Sequence, residues 1–112
     1  MKLGIVVYSN DPETVVNAFV FGSYALREGD QVSVTLLGKG VELETLSKTE
    51  GYAGQVFRVT EQMQAFVDGG GQLFASERCV EARGMSLPKL CTTSTVKDLY
   101  EMVKKSDKVV TF

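Results

Sequence analysis

Short apolar runs rich in β-branched residues recur along this chain, each leading through a turn into a stretch with helical spacing. Leu3 to Tyr8 is the first of them. A strand with one wet face would alternate apolar and polar residues, so an unbroken run implies burial on both faces, the habit of parallel sheets. Ser9-Asn10-Asp11-Pro12 follows as a helix start: Asn10 or Asp11 caps, Pro12 suits the first turn, and Glu13 favours the positive end of the helix. That helix is expected to run to Glu28 and stop at Gly29. Its apolar residues, among them Val15, Val16, Phe19, Val20, Phe21, Tyr24, Ala25 and Leu26, fill more than one stripe. The second stripe must be covered by neighbouring segments or by another subunit.

Gln31 to Leu37 reads as the second strand, leaving through Gly38-Lys39-Gly40. Val41 to Ser47 is expected to be a short helix, and Lys48 to Gly54 a polar loop. Val59, Met63, Phe66 and Val67 then recur at helical spacing as far as Gly69-Gly70-Gly71, and Gln72 to Ala75 forms the third strand. Ser76 to Arg83 is expected as a turn and short helix closed by Gly84, with a short fourth strand within Met85 to Leu90, interrupted at Pro88. Ser94 to Ser106 reads as a helix capped by Ser94, Thr92 or Thr93, with Val96, Leu99, Tyr100 and Val103 on one face; Lys108 to Phe112 is the last strand. Strands alternating with helices predict an α/β fold: a mainly parallel sheet of four to five strands with helices on both faces, as a single domain over residues 1–112.

Composition narrows the chemistry. Twelve basic against 14 acidic residues give a net charge of −2 with no basic stretch, which argues against gripping nucleic acid or an anionic membrane. The chain has no histidine, which removes Ser-His-Asp and Cys-His catalysis, imidazole proton transfer and every His-containing zinc site. Its two cysteines cannot make a four-thiolate metal site, so neither metal nor cofactor is expected. The apolar run after Lys2 is too short for a signal peptide core or a membrane span, which predicts a cytoplasmic protein whose cysteines are thiols.

Parallel sheets react at the carboxyl ends of their strands. The loop after the first strand lacks glycine and carries Asp11 and Glu13, which would repel a phosphate, and Asp11 is best read as a helix cap. No GxxxxGK[ST] occurs, and Gly38-Lys39-Gly40 lacks the third glycine of a dinucleotide fingerprint. Cys79 lies four residues beyond the third strand, in the loop or first turn of the next helix. Arg78 beside it and Arg83 one helical turn on would lower its pKa, while Glu77 and Glu81 act oppositely. The competing reading is a small buried apolar cysteine. Cys91, twelve positions later, is open to the same reading or to that of a second, resolving thiol.

Three stretches together resemble the DsrE/DsrF-like sulfur-relay family, which includes the TusD-type subunits of tRNA thiolation. They are Gly4-Ile-Val-Val-Tyr-Ser-Asn-Asp-Pro-Glu13, Phe74-Ala-Ser-Glu-Arg-Cys-Val-Glu-Ala-Arg-Gly84, and Val96-Lys-Asp-Leu-Tyr100 through Ser106-Asp-Lys-Val-Val-Thr-Phe112. The most specific element is Cys79 followed four residues later by Arg83-Gly84. The resemblance implies a three-layer α/β/α domain with a five-stranded parallel sheet, assembled into homo- or hetero-oligomers such as trimers and hexamers. It implies that Cys79 carries a persulfide between donor and acceptor proteins, with Arg78 or Arg83 stabilising the anion and Cys91 as a possible second thiol. Some relatives have a second cysteine where this chain has Ser76, and some lack the reactive one. A non-catalytic oligomeric subunit or binding module, and a redox-responsive pair of Cys79 and Cys91, are the alternatives.

Overall fold

The structure is a computed structural model and describes residues 1–43 and 58–112. Five strands, β1 (Lys2–Val7), β2 (Gln31–Leu36), β3 (Gln72–Ser76), β4 (Thr92–Ser94) and β5 (Lys108–Thr111), form one sheet in the order β4-β3-β2-β1-β5. Every neighbouring pair is parallel. Among the described residues the helices are α1 (Pro12–Arg27), α2 (Val59–Asp68), α3 (Glu77–Ala82) and α4 (Val96–Lys105), with a 3-10 turn at Gly38–Val41.

Local chemistry sets most of these boundaries. Asp11 is the N-cap of α1, its carboxylate accepting from the Thr14 N–H at 3.0 Å and the Thr14 hydroxyl at 2.9 Å. Pro12 sits in the first turn, where its missing N–H is no loss. Val59, Met63 and Phe66 are the buried stripe of α2, and the Phe66 ring meets Phe19 of α1 with centroids 5.7 Å apart. The expected helix over Val41 to Ser47 begins with the end of the 3-10 turn; its residues from 44 onward, and the loop at Lys48 to Gly54, lie outside the described residues.

Helices cover both faces of the sheet. A side chain at Gly22 of α1 would meet Ile5, whereas one at Gly4 would meet Met102 and Ser106 at the other face. Adjacent strand residues point to opposite faces, so α1 and α4 lie on opposite sides. Strand order explains this: β2 and β3 step successively away from β1, while β5 returns to its other side, and a right-handed crossover in the reverse direction places its helix on the opposite face. The core fills the α1 and α2 side, where Ile5, Val7, Val34, Leu36, Phe19 and Phe66 are fully buried.

Two local expectations are corrected. The fourth strand is Thr92–Ser94, not part of Met85 to Leu90, because Pro88 has no N–H for a ladder and Leu90 is left-handed at φ 69°. Since Thr92–Ser94 is committed to pairing with Phe74–Ser76, the cap of α4 falls to Thr95, which forms a capping box with Asp98. Val96, Tyr100 and Val103 of α4 point outward, and α4 has no buried residue. Periodicity identifies an apolar face; what covers that face depends on packing.

Candidate functional site

The carboxyl ends of β2 and β3 lie side by side, so the segment after each is brought to the other. Ser76 ends β3 and caps α3, its Oγ accepting from the Cys79 N–H at 3.4 Å. This places Cys79 in the first turn of α3, partly exposed, with Sγ facing the 3-10 turn that follows β2. The Gly38 N–H donates to Cys79 Sγ at 3.2 Å.

Two glycines fit the 3-10 turn to that task. Gly38 has φ +56°, a left-handed conformation in which a side chain is strained. Gly40 lies against the end of β1: a Cβ there would fall on the carbonyl of Val7, 2.9 Å from its carbon. Arg83 links the two segments, Nε donating to Glu42 Oε2 at 3.2 Å and Nη1 to the Cys79 carbonyl at 3.2 Å. Arg83 is therefore a strut between α3 and the residue after the 3-10 turn, as well as a nearby positive charge.

The electrostatic balance favours the thiolate. A hydrogen bond from the Ser76 hydroxyl, the largest influence, holds the Cys79 thiol below its ordinary value of 9.0, while burial pushes it up. The Gly38 amide, then Arg83 and Arg78, add to the lowering. Arg78 is exposed at the surface beside Cys79. Cys91, which is in no disulfide, has intermediate exposure just before β4, its N–H donating to the Pro88 carbonyl at 3.2 Å. A cavity of about 260 Å³ lies between α4 and the sheet face of Ser33, Thr35, Gln72 and Phe74, and no residue of the Cys79 cluster lines it.

Sequence reasoning singled out Cys79 and both arginines; it did not assign roles here to Ser76, Gly38 or Glu42. Ser76 was legible as a polar residue three positions before Cys79, at N-cap spacing. Gly38 and Glu42 lie 41 residues from their partners, and only the strand order brings them there.

The model of the DsrE/DsrF-like family matches residues 1–112. The chain belongs to the DsrE/DsrF-like family. Among its similar proteins is the uncharacterized protein MJ0989 of Methanocaldococcus jannaschii, 32% identical over an alignment of 103 residues that covers 89% of this chain and 88% of that protein. The crystal structure of the ychN protein from E. coli superposes with a TM-score of 0.72 over all of both chains at 20% identity, which establishes a shared fold. Family membership fits the five-stranded parallel sheet. Among the described residues, no helix is long and apolar enough to cross a membrane.

Proposed function

We propose that this DsrE/DsrF-like protein is a sulfur-relay carrier, acting in the cytoplasm, that holds a persulfide on Cys79 between donor and acceptor proteins. The observation that carries the reading is a partly exposed sulfur that accepts the Gly38 N–H at 3.2 Å, beside two arginines and without histidine. The Cys79 thiolate attacks the outer sulfur of a donor persulfide; the new Sγ–S bond forms as the donor S–S bond breaks, and the donor leaves as a thiolate. No base, metal or external oxidant is needed, because a lowered thiol pKa supplies the nucleophile. Arg78 and Arg83 favour the anion, and Cys91 is a second thiol outside this step.

Incubation with a cysteine desulfurase and labelled cysteine should add one sulfur to the chain, lost in Cys79→Ser and kept in Cys91→Ser. A wild-type protein that takes no sulfur from competent donors would remove the proposal.

A further observation favours assembly. Val20, Phe21 and Tyr24 on α1 are exposed, as are Val96, Tyr100 and Val103 on α4, so apolar side chains face outward on both sides of the sheet. The carrier is accordingly proposed to work as a homo-oligomer, trimeric or hexameric; a non-catalytic oligomeric subunit would share this surface. Light scattering should return a multiple of the 12.2 kDa chain mass, and a monomer at micromolar concentration would exclude it.

A further inference from the structure

We infer that the cavity between α4 and the sheet is a binding site for a small zwitterion of the free amino-acid class. It lies apart from the Cys79 cluster and does not rest on the carrier reading.

The strand pattern makes the floor. A parallel sheet covered on both faces is normally apolar on both. Here β2 alternates: Val32, Val34 and Leu36 are buried on the α1 side, while Gln31, Ser33 and Thr35 line the cavity on the other. Gln72 and Phe74 of β3 and Ser94 of β4 extend that floor. The α4 helix is turned to match. Asp98, Glu101, Met102 and Lys105 line the cavity, whereas Val96, Tyr100 and Val103 are 66%, 61% and 44% exposed. A helix packed for apolar burial alone would be rotated the opposite way.

Two hydroxyl residues of the floor are almost wholly buried, Thr35 at 2% exposure and Ser94 at 4%. Ser94 donates to the Thr95 carbonyl at 3.4 Å. Thr35 has no side-chain hydrogen bond to any described residue. Buried polar groups are almost always partnered, so this hydroxyl marks the cavity as a place for a polar guest. Beside it, the Ser33 hydroxyl donates to Gln72 Oε1 at 3.0 Å, which leaves the Gln72 amide nitrogen to donate to a ligand.

Charge and size give the class. Asp98 and Glu101 balance Lys2 and Lys105 around the cavity, so the lining has no net charge and disfavours a phosphate. Asp98 is occupied by the capping box, Oδ2 accepting the Thr95 N–H at 2.9 Å. That leaves Glu101, whose Oε2 lies 3.6 Å from Lys105 Nζ. A carboxylate and an ammonium this close complement, head to tail, the ammonium and carboxylate that an amino acid carries on one carbon. The volume of about 260 Å³ falls below the roughly 300–1,000 Å³ of pockets for drug-sized molecules, so the occupant is small. Its side chain then meets the Thr35 and Gln72 donors and the Phe74 ring.

Titration of the isotope-labelled full chain with L-serine, L-threonine and L-asparagine, followed by amide NMR, tests the site. At least one of them should shift the Thr35, Gln72 and Glu101 amides and saturate. Glycerate, with a hydroxyl in place of serine's ammonium, and ethanolamine, without its carboxylate, should bind roughly tenfold more weakly than L-serine, the scale of one lost charge-assisted contact. Thr35→Val should weaken amino-acid binding about fivefold yet melt no lower than wild type, because the hydroxyl has no partner in the chain to lose. Glu101→Gln and Lys105→Gln change exposed side chains and should each weaken binding roughly tenfold. Lys104→Gln, outside the lining, and Cys79→Ser should bind as wild type does. Glycerate or ethanolamine binding as tightly as L-serine, or glucose or inorganic phosphate saturating the site when no amino acid does, would overturn the assignment. Wild-type affinity in all three lining variants would overturn it too, and a cavity that none of these probes perturbs holds solvent only and ends the inference.

Discussion

Replacing Gly40 with alanine tests whether the end of β1 and the thiol site are mechanically joined. The new Cβ would lie 2.9 Å from the Val7 carbonyl carbon and closer to its oxygen, where ordinary contact begins at 3.4 Å. The obstacle is backbone in a central strand, so the 3-10 turn must retreat by about half an ångström or more, a displacement on the scale of an overpacked core that costs about 2–3 kcal/mol. With about 2.1 cal/mol/K of unfolding entropy per residue over 112 residues, the melting temperature should fall by about 8–13 °C. The same retreat stretches the Gly38 contact to Cys79 Sγ, now 3.2 Å, beyond useful hydrogen-bond range. Thermal unfolding followed by circular dichroism measures the first effect, and the rate of Cys79 alkylation against pH the second. The alkylation midpoint should rise. Gly29→Ala is the control: its φ of +92° makes alanine strained, at roughly 1–2 kcal/mol, but nothing lies within 4 Å and the residue is remote from the thiol. It should lower stability and leave the alkylation profile in place. A Gly40→Ala protein melting within about 2 °C of wild type, or destabilised with an unmoved thiol, would refute the coupling between β1 and the site.

The Cys79 alkylation midpoint in wild type should fall below 9.0, so reactivity persists as pH drops from that value and fades only below the lowered folded-state pKa. Because that pKa is depressed, the associated stability is full above the unfolded value and is lost as pH falls through the folded one; the urea midpoint should show this dependence in wild type and not in Cys79→Ser. Phe66→Ala should destabilise by about 3–5 kcal/mol in urea titrations, since the ring is fully buried against Phe19. A loss under about 1 kcal/mol would mean that α1 and α2 do not share this contact. Thr95→Ala should cost about 1 kcal/mol and speed amide exchange in the first turn of α4, because it dismantles the capping box with Asp98 on a helix with no fully buried residue. Unchanged exchange there would show that α4 is held by something other than its cap.

Legibility in the sequence followed the range of the interaction. The β1 run, the Asp11-Pro12 start of α1, the Val59, Met63 and Phe66 stripe and the glycine stops are contacts between near neighbours or simple periodicities, and each appears in the structure as read. The errors fell where tertiary pairing outranks local preference. Thr92 and Ser94 look like helix caps until β3 takes them into the ladder, and the apolar face of α4 does not by itself say that the sheet meets Met102. At the site, Cys79 and Arg83 were legible because they lie one helical turn apart. Glu42 was not, because its pairing with Arg83 spans 41 residues.

By itself, then, the sequence determined the strand and helix alternation, the exclusion of imidazole chemistry and the choice of Cys79 as the residue to examine. Periodicity, end-capping and composition are properties of a chain before it closes on itself. The tertiary structure alone decided what the sulfur faces. Parallel pairing of β2 with β3 carries the Gly38 amide to Sγ, and Arg83 fastens the turn's far side to α3. A hydrogen bond to a thiolate depends on angles and tenths of an ångström, and only the register of a folded sheet sets those between residues 41 positions apart.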